Sequence, residues 1–531
     1  MREGRQAVEE WGHTLLIGWT DRSSQFILQV CRANESNGGG CIVVLLTEGQ
    51  KKAETEKGFY AQVRTKELRS TKIVFRRGSP MNVQDLRQVA ADKARVIVIL
   101  SIGQDPHRAD ANVLRVLMAL AVVGQKADGH IVAEVRDPEM DTVIQLTGGN
   151  HLETLQSTDL LARMSLSAVK TPGVAEVFEE LLGFEGDEFY VKKWPECAGL
   201  TYGALCHHFP DAIVVGIMDE DGTVTLCPPQ SFLLSSSAAI IVIAEDDDCY
   251  NFVENPYVSD PGELPPHTEP TQRTTKLLVC GWGESLRGLL RMLNIVFEPG
   301  TEVHLCNKLP IDERKIYLQE FDIVGLHLKL IHHVGDPASW FCIRQLDLGQ
   351  YRCALVISDA RENDDLLGSD SHNLAIILLL RYYEEIKVIE IKSRAQEDGI
   401  LGISSFDEDS GNHPKTLRKW NSAQRTTIFE PDFGQSNQSA KSKSIDVSGN
   451  VISRLPVFCE ILDTRTQHLI EDHPTMSESS HFLVSNRLIS KVLAMVSEDR
   501  AVRSILDQLL SGSTEITLVP SEVSTPIYRC H

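Results

Sequence analysis

The sequence predicts an α/β protein made of two tandem Rossmann-like, doubly wound parallel-sheet domains, the first carrying a small α+β C-terminal lobe. The stretch His13-Thr14-Leu15-Leu16-Ile17-Gly18-Trp19 nearly repeats as Lys276-Leu277-Leu278-Val279-Cys280-Gly281-Trp282, and each reads as a short buried strand ending on glycine. Two further landmarks repeat in step: Arg77-Gly78-Ser79-Pro80 with Val334-Gly335-Asp336-Pro337, and Ala109-Asp110-Ala111-Asn112-Val113-Leu114 with Ser369-Asp370-Ser371-His372-Asn373-Leu374. All three pairs lie about 260 residues apart, so one architectural unit occurs twice. Between the landmarks, continuous apolar strands alternate with amphipathic helices, the pattern of a parallel sheet covered on both faces.

In the first copy, residues 23–33 read as a helix and 41–47 (CIVVLLT) as a second strand. Residues 72–75 follow as a strand, 83–91 as a helix, 96–100 as a strand, 109–123 as a helix, 130–135 as a fifth strand and 152–156 as a weaker sixth. Residues 172–182 form a helix with Pro172 near its first turn and Gly183 just past its end. Short strands at 189–192, 213–218, 224–226 and 239–244, with a hairpin turn at Asp219-Glu220-Asp221-Gly222, make the small lobe. Residues 251–275 carry Pro256, Pro261, Pro265, Pro266 and Pro270 and read as a linker.

The second copy repeats the order with strands at 277–280, 302–306, 327–332 and 354–358, a helix at 373–383 and a strand at 387–391. Residues 404–453 are rich in Ser, Asn, Asp, Gln and Lys and read as a disordered insertion. A strand at 457–462 and helices at 485–496 and 501–510 resume the pattern. The expected plan is a connector (1–11), first Rossmann-like lobe (12–171), crossover helix with small lobe (172–250), linker (251–275), second Rossmann-like lobe (276–403), insertion (404–453) and the end of the second unit (454–531), its last small lobe cut short.

Composition narrows the partners. With 52 Lys and Arg against 74 Asp and Glu, the net charge of −22 opposes a nucleic-acid or anionic-lipid surface and favours a cation. No stretch approaches the roughly 20 apolar residues of a spanning helix, and the start lacks the apolar core of a secretory signal, so no direct membrane insertion by this chain is expected. The 12 cysteines are scattered without a Cys-x-x-Cys pair, which suits a reducing compartment and argues against disulfides or zinc.

The glycine turns depart from the dinucleotide fingerprint. Gly18 is followed by Thr20 and Ser23, while Gly281 and Gly283 are followed by Leu286 where a third glycine belongs. Near the end of the second strand the first copy offers Glu48, and the second offers Asn307 and Lys308. The scaffold is therefore expected to hold no NAD. No nucleophile elbow, phosphate loop or zinc helix appears, and no enzymatic activity is expected. The adjacent pairs His207-His208 and His332-His333 point in different directions and read as polar surface.

The carboxylates say more. Glu245, Asp246, Asp247 and Asp248 follow directly on an apolar strand, and hard cations such as Ca²⁺ take several oxygen ligands at close range. Asp110, Glu134 and Asp137 fall at or beyond the carboxyl ends of strands in the first sheet, where open α/β sheets bind ligands. These seven are the candidate metal ligands. The plainer alternatives stand beside them: Asp110 as a helix cap, and the acidic run as a solvated turn.

Taken in order, Ala33-Asn34-Glu35-Ser36 with Gly38-Gly39-Gly40, Arg77-Gly78-Ser79-Pro80, Gly129-His130-Ile131-Val132, Leu182-Gly183-Phe184-Glu185, Phe189-Tyr190-Val191-Lys192-Lys193-Trp194-Pro195 and Ala244-Glu245-Asp246-Asp247-Asp248 resemble the cytosolic region of the CASTOR and POLLUX cation channels of plants. Val484-Ser485-Asn486 and Leu493-Ala494-Met495-Val496-Ser497-Glu498-Asp499 are similar to a later part of the same region. The resemblance implies tandem RCK domains assembled as a homotetrameric, Ca²⁺-regulated gating ring under a potassium-type pore. It also implies a nuclear-envelope protein whose soluble part faces the cytosol or nucleoplasm. The pore-forming segment expected before Trp11 is absent from this chain. Two other readings remain: a soluble nucleotide-binding regulatory subunit of a potassium transporter, and a Rossmann oxidoreductase.

Overall fold

Apolar segments too short and too continuous for one-sided burial have to pair inside a sheet. In the computed structural model they do so in three sheets. The structure describes residues 6–36, 38–47, 49–103, 105–124, 129–171, 173–256, 275–320, 326–359, 366–397, 444–445, 451–452, 454–471 and 480–510. The first sheet contains β1 (Thr14–Ile17), β2 (Cys41–Leu46), β3 (Lys72–Arg77), β4 (Val96–Ile99), β5 (His130–Val135) and β6 (Leu152–Gln156). These strands are all parallel, in the order β3-β2-β1-β4-β5-β6. Every residue of β1 and β4 is buried, as strands covered on both faces must be.

The covering helices are α1 (Ser23–Ala33), α2 (Lys52–Gln62), α3 (Val83–Gln88), α4 (Pro106–Val123), α5 (Pro138–Gly148) and α6 (Ser157–Lys170), followed by α7 (Val174–Leu181). Helices α2, α5 and α6 are additional to the elements expected from the sequence. The strand-to-helix junction at Gln156–Ser157 has no intervening turn residue to announce it. Pro172, expected inside the crossover helix, lies outside the described residues, and that helix begins at Val174.

The small lobe adds β7 (Glu188–Lys193), α8 (Tyr202–Leu205), β8 (Ile213–Met218), β9 (Val224–Leu226) and β10 (Ala239–Ala244), with an antiparallel sheet ordered β7-β10-β8-β9. The second copy supplies β11 (Lys276–Cys280), α9 (Ser285–Val296), β12 (Glu302–Asn307), α10 (Ile311–Glu320), β13 (Lys329–Val334), α11 (Trp340–Ile343), β14 (Cys353–Val356) and α12 (Leu366–Glu397). After the two-residue strands β15 (Ser444–Ile445) and β16 (Val451–Ile452), it continues with β17 (Val457–Ile461), α13 (Thr464–Glu471), β18 (Ser480–Val484), α14 (Ser485–Glu498) and α15 (Ala501–Leu509). Its sheet runs β13-β12-β11-β14-β17-β18, all parallel. Position for position, this is the order of the first sheet, so the duplication read from the sequence holds in three dimensions.

One segment differs from expectation. Residues 387–391 are helical, inside α12, and the fifth position of the second sheet is taken by β17. The alternating Lys387-Val388-Ile389-Glu390-Ile391 looks like a strand locally, and the surrounding helix overrides it. Leu380–Arg454 forms a compact unit of its own, in which β15 pairs antiparallel with β16. Most of the expected linker and insertion, and residues 511–531, lie outside the described residues.

The two Rossmann-like lobes pack against each other reciprocally. Helix α1 of the first copy lies on α14 of the second, and α6 of the first lies on α9 of the second. In each pair, the first helix of one copy meets the helix that follows the last strand of the other. This is the self-complementary contact of a two-fold dimer, made here within one chain. The apolar side chains of Leu488, Ile489, Val492, Leu493 and Val496 bury α14 between the lobes.

Candidate functional site

The reciprocal packing brings the carboxyl ends of both sheets to one seam. A cavity of about 290 Å³ opens there, lined by Arg22, Ser101 and Arg136 from the first copy and by Glu284, Ser358, Glu460 and Ser485 from the second, among others. Crevices beyond the carboxyl ends of strands are where doubly wound sheets bind ligands.

In the first copy the mouth is held by a network of buried carboxylates. Asp110, fully buried on the first turns of α4, accepts hydrogen bonds from Ser101 Oγ (2.8 Å), Arg136 N (3.0 Å) and Asp137 N (2.7 Å). Burial nonetheless raises its carboxyl above the usual range. The cap of α4 is Asp105, which accepts from His107 N, so Asp110 is a clamp between β4 and β5 and not a cap. Asp137 caps α5 by accepting from Glu139 N and faces His107 Nδ1 at 2.8 Å. Glu134, fully buried on β5, accepts from Ser101 N at 3.3 Å and forms an ion pair with Arg22.

The second copy builds the same network. Asp370 accepts from Leu462 N (2.8 Å) and Asp463 N (3.0 Å), as Asp110 does from Arg136 and Asp137. Glu460 of β17 accepts from Ser358 N at 3.1 Å, as Glu134 does from Ser101. Asn486 Nδ2 donates to Leu462 O, as Thr158 Oγ1 donates to Arg136 O. The equivalence fails at one place. After the glycine that ends the first strand, Arg22 stands in one copy and Ser285 in the other, four residues on. Glu460 therefore receives Ser485 Oγ at 2.6 Å in place of a guanidinium. Its carboxyl is raised by burial, with smaller contributions from the charges of Asp370 and Glu284. Across the seam, Arg136 pairs with Glu284.

The seven predicted ligands fall into two groups. Asp246, Asp247 and Asp248 are exposed and bring carboxylate oxygens within 4.8 Å of one another, the only such group of three His, Cys, Asp or Glu among the described residues. Glu245 lies next to them, also exposed. Glu188, beside Asp246 on the small-lobe sheet, is pushed up to about 7 by burial and by that neighbouring charge. Asp110, Glu134 and Asp137 do not join as one ligand set, because each is engaged by the bonds described above.

The glycine turns use their freedom internally. A Cβ on Gly18, at φ +99°, would meet Ile102 Cδ1 at 2.4 Å, and one on Gly281, at φ +106°, would meet Ile357 O at 2.1 Å. The close approach that a dinucleotide site reserves for pyrophosphate is filled here by the loops after β4 and β14. The His332-His333 pair is half-buried, correcting the surface reading. His333 Nε2 lies 2.9 Å from His304 Nδ1, and His332 Nδ1 lies 3.5 Å from the guanidinium of the fully buried Arg314. Sequence reasoning missed Arg22, Glu284 and Glu460. Aligning the two copies strand by strand exposes the third, since HIVAEV and VFCEI both carry Glu next to last.

Tandem Rossmann-like lobes paired at their sheet mouths are a fold also found in a channel gating ring. The human SLO3 gating ring superposes on it with a TM-score of 0.58 at 11% identity, over 94% of this chain and 84% of that one, a likeness of fold. A family model described as "Castor and Pollux, part of voltage-gated ion channel" matches residues 158–258. Among curated proteins, "Probable ion channel SYM8" of Pisum sativum is 31% identical over 98% of this chain and 54% of its own length. "Ion channel POLLUX" of Lotus japonicus is 31% identical over 98% and 53%, and "Ion channel CASTOR" of the same plant 30% identical over 96% and 55%. The chain belongs to the CASTOR/POLLUX family, and it spans about half the length of the curated relatives it matches. No helix among its described residues is long and apolar enough to cross a membrane.

Proposed function

We propose that this chain is the ligand-sensing, regulatory portion of a CASTOR/POLLUX-type cation channel, with Ca²⁺ as effector and potassium-type transport as the regulated output. The observation that carries this reading is the seam, where two ligand-binding mouths of one ancestral plan face each other. A ligand held there or on the small lobe biases the angle between lobes by its difference in affinity for two arrangements, and about 1.4 kcal/mol of difference is a tenfold shift. The all-oxygen donors Asp246, Asp247 and Asp248, with Glu245, suit a hard cation. Such a portion acts at the membrane that holds the pore, for which the family suggests the nuclear envelope. No catalytic role is proposed, and the filled glycine turns argue against a nucleotide as effector.

Assembly as a homotetrameric ring is part of the proposal. Met118 of α4 and Val143 of α5 are 59% and 45% exposed, and the equivalent positions of the second copy, Leu378 and Leu469, are 51% and 70% exposed. Apolar side chains repeated at matched exposed positions support lobe-to-lobe association between chains. Two measurements test the reading: calorimetric titration of the chain with Ca²⁺, and light scattering of wild type and M118E/L469E. Ca²⁺ binding and a tetramer that the double variant dissociates are expected. No Ca²⁺ binding removes the effector, and a monomer at high concentration removes the ring.

A further inference from the structure

The net charge of −22 conceals one local reversal of sign. Residues 51–77 carry nine Lys and Arg against three Asp and Glu, so this stretch stands at +6 and the rest of the chain at −28. It comprises α2, the turn after it and β3, the edge strand of the first sheet. Seven of the nine cations are exposed and the other two half-buried. A block of one sign set into a chain of the other marks a surface for an oppositely charged partner.

Two plainer accounts fall short. Charge on an edge strand deters pairing with other chains, which suits Lys72, Arg76 and Arg77 of β3 but not the cations of α2 and the turn. Nor does the fold itself demand the charge. The corresponding stretch of the second copy, residues 308–334, holds four Lys and Arg against four Asp and Glu, and its edge strand β13 keeps a single lysine, Lys329. Neighbours absorb part of the excess: Lys51 pairs with Glu54, Lys52 with Glu56, Arg69 with Glu35 and Lys72 with Glu10. Lys57, Arg64, Lys66 and Arg77 are exposed and join no ion pair among the described residues.

We propose that this basic edge of the first Rossmann-like lobe docks on anionic phospholipid headgroups. Long Lys and Arg side chains reach a headgroup layer while their stems stay on the protein, and each adds a similar increment of attraction near a negative bilayer. Aromatic rings suited to that boundary accompany them: Tyr60 of α2 is 44% exposed and Trp11 68%. The choice of a bilayer over another polyanion rests on the reading of the chain as part of a channel, whose membrane part joins ahead of Trp11. Residues 6–10 run beside the same edge, with Gln6 O accepting from Arg76 Nε at 2.8 Å and Glu10 Oε1 lying 2.5 Å from Lys72 Nζ. The contact is peripheral and electrostatic, and it needs no inserted helix.

The test is flotation of the whole chain with vesicles of phosphatidylcholine alone or mixed with phosphatidylserine, in EDTA so that no Ca²⁺ bridges acidic side chains to the lipid. K57Q/K66Q/R77Q is compared with K308Q/K315Q/K329Q, which removes as many cations from the same edge of the second copy, and the thermal transition of each confirms its fold. Wild type is expected to bind the phosphatidylserine vesicles alone, less as salt is added; the first variant should bind at least about tenfold more weakly and the second as wild type does. Equal binding to both kinds of vesicle, equal losses in the two variants, or no binding at all overturns the surface. Binding to heparin or duplex DNA with none to phosphatidylserine also overturns it and gives the edge to another polyanion. Failure here leaves the regulatory reading to its own Ca²⁺ titration, so the two fall separately.

Discussion

The guanidinium of Arg95 closes on the carboxylate of Glu498 with two hydrogen bonds, Nη1–Oε2 at 2.8 Å and Nη2–Oε1 at 2.6 Å, between residues 403 apart in the chain. Arg95 precedes β4 of the first copy and Glu498 ends α14 of the second, so the pair fastens the lobes at the end of α14 away from the cavity. Because Arg95 is 40% exposed, the pair contributes only about 0.5–1 kcal/mol. A double-mutant cycle with R95A and E498A in urea denaturation should return a coupling of that size at low salt, shrinking as salt is added. A coupling of zero at low salt would mean that the lobes are fastened without it.

Arg22 and Glu134 should behave very differently. Glu134 has no exposed side-chain surface and Arg22 only 15%, so removing the arginine strands a buried carboxylate. R22A is expected to destabilise the chain by about 3–5 kcal/mol, whereas R22M/E134L, which removes both charges, should lose much less. Chemical denaturation of the three proteins checks this; equal losses in the single and double variants contradict the ion-pair account.

Acid should loosen the histidine cluster of the second lobe. Burial, the larger cause, and the neighbouring His333 both hold His304 below its ordinary value of 6.5, and burial does the same for His333. A histidine whose folded value is lowered binds protons more readily when unfolded. Stability is therefore full above about pH 6.5 and falls as the pH drops below it. In H333Q the slope of stability against pH between 7 and 5 should flatten, read by thermal melts across that range. An unchanged slope places the acid sensitivity elsewhere.

Thiol reactivity should divide sharply by position. Cys249 is exposed, whereas Cys353 is pushed up to about 12 by burial. Cys306 is raised chiefly by its contact with Cys280, and its Sγ lies 3.3 Å from that of Cys342. Since the thiolate is the nucleophile, alkylation at pH 8 should mark Cys249 within minutes and spare Cys306, Cys342 and Cys353 until the chain unfolds. Peptide mass mapping of native and denatured samples decides it, and rapid native labelling of Cys353 would sink the prediction.

The duplication was legible because glycine-ended apolar strands keep their signal in both copies, and β1, β2, β4, β5 and β6 stand where hydrophobicity alone puts them. Helices α2 and α10 were not legible as amphipathic, since Lys52–Gln62 and Ile311–Glu320 carry no apolar stripe. The mouth of the first sheet was legible as a set of strand-end carboxylates. Their partners were not: Arg22 and Glu134 lie 112 residues apart, and Arg136 and Glu284 lie 148 apart, in different copies. The first pairing is decided by the strand order that sets β5 near the start of α1, and the second by how the lobes dock; no local pattern encodes either. Asp110 looked equally apt as ligand or cap, and only its three donors, brought from β4 and the end of β5, assign it to holding the loops.

The crossed contacts of α1 with α14 and of α6 with α9 give the lobe pair a property that separate subunits lack. Two free lobes would meet by a bimolecular equilibrium and part on dilution. Joined in one chain, each holds its partner at a fixed effective concentration, independent of how much protein a cell makes. A ligand at the seam then works against the stiffness of an interface already formed, and its threshold is set by its own concentration alone.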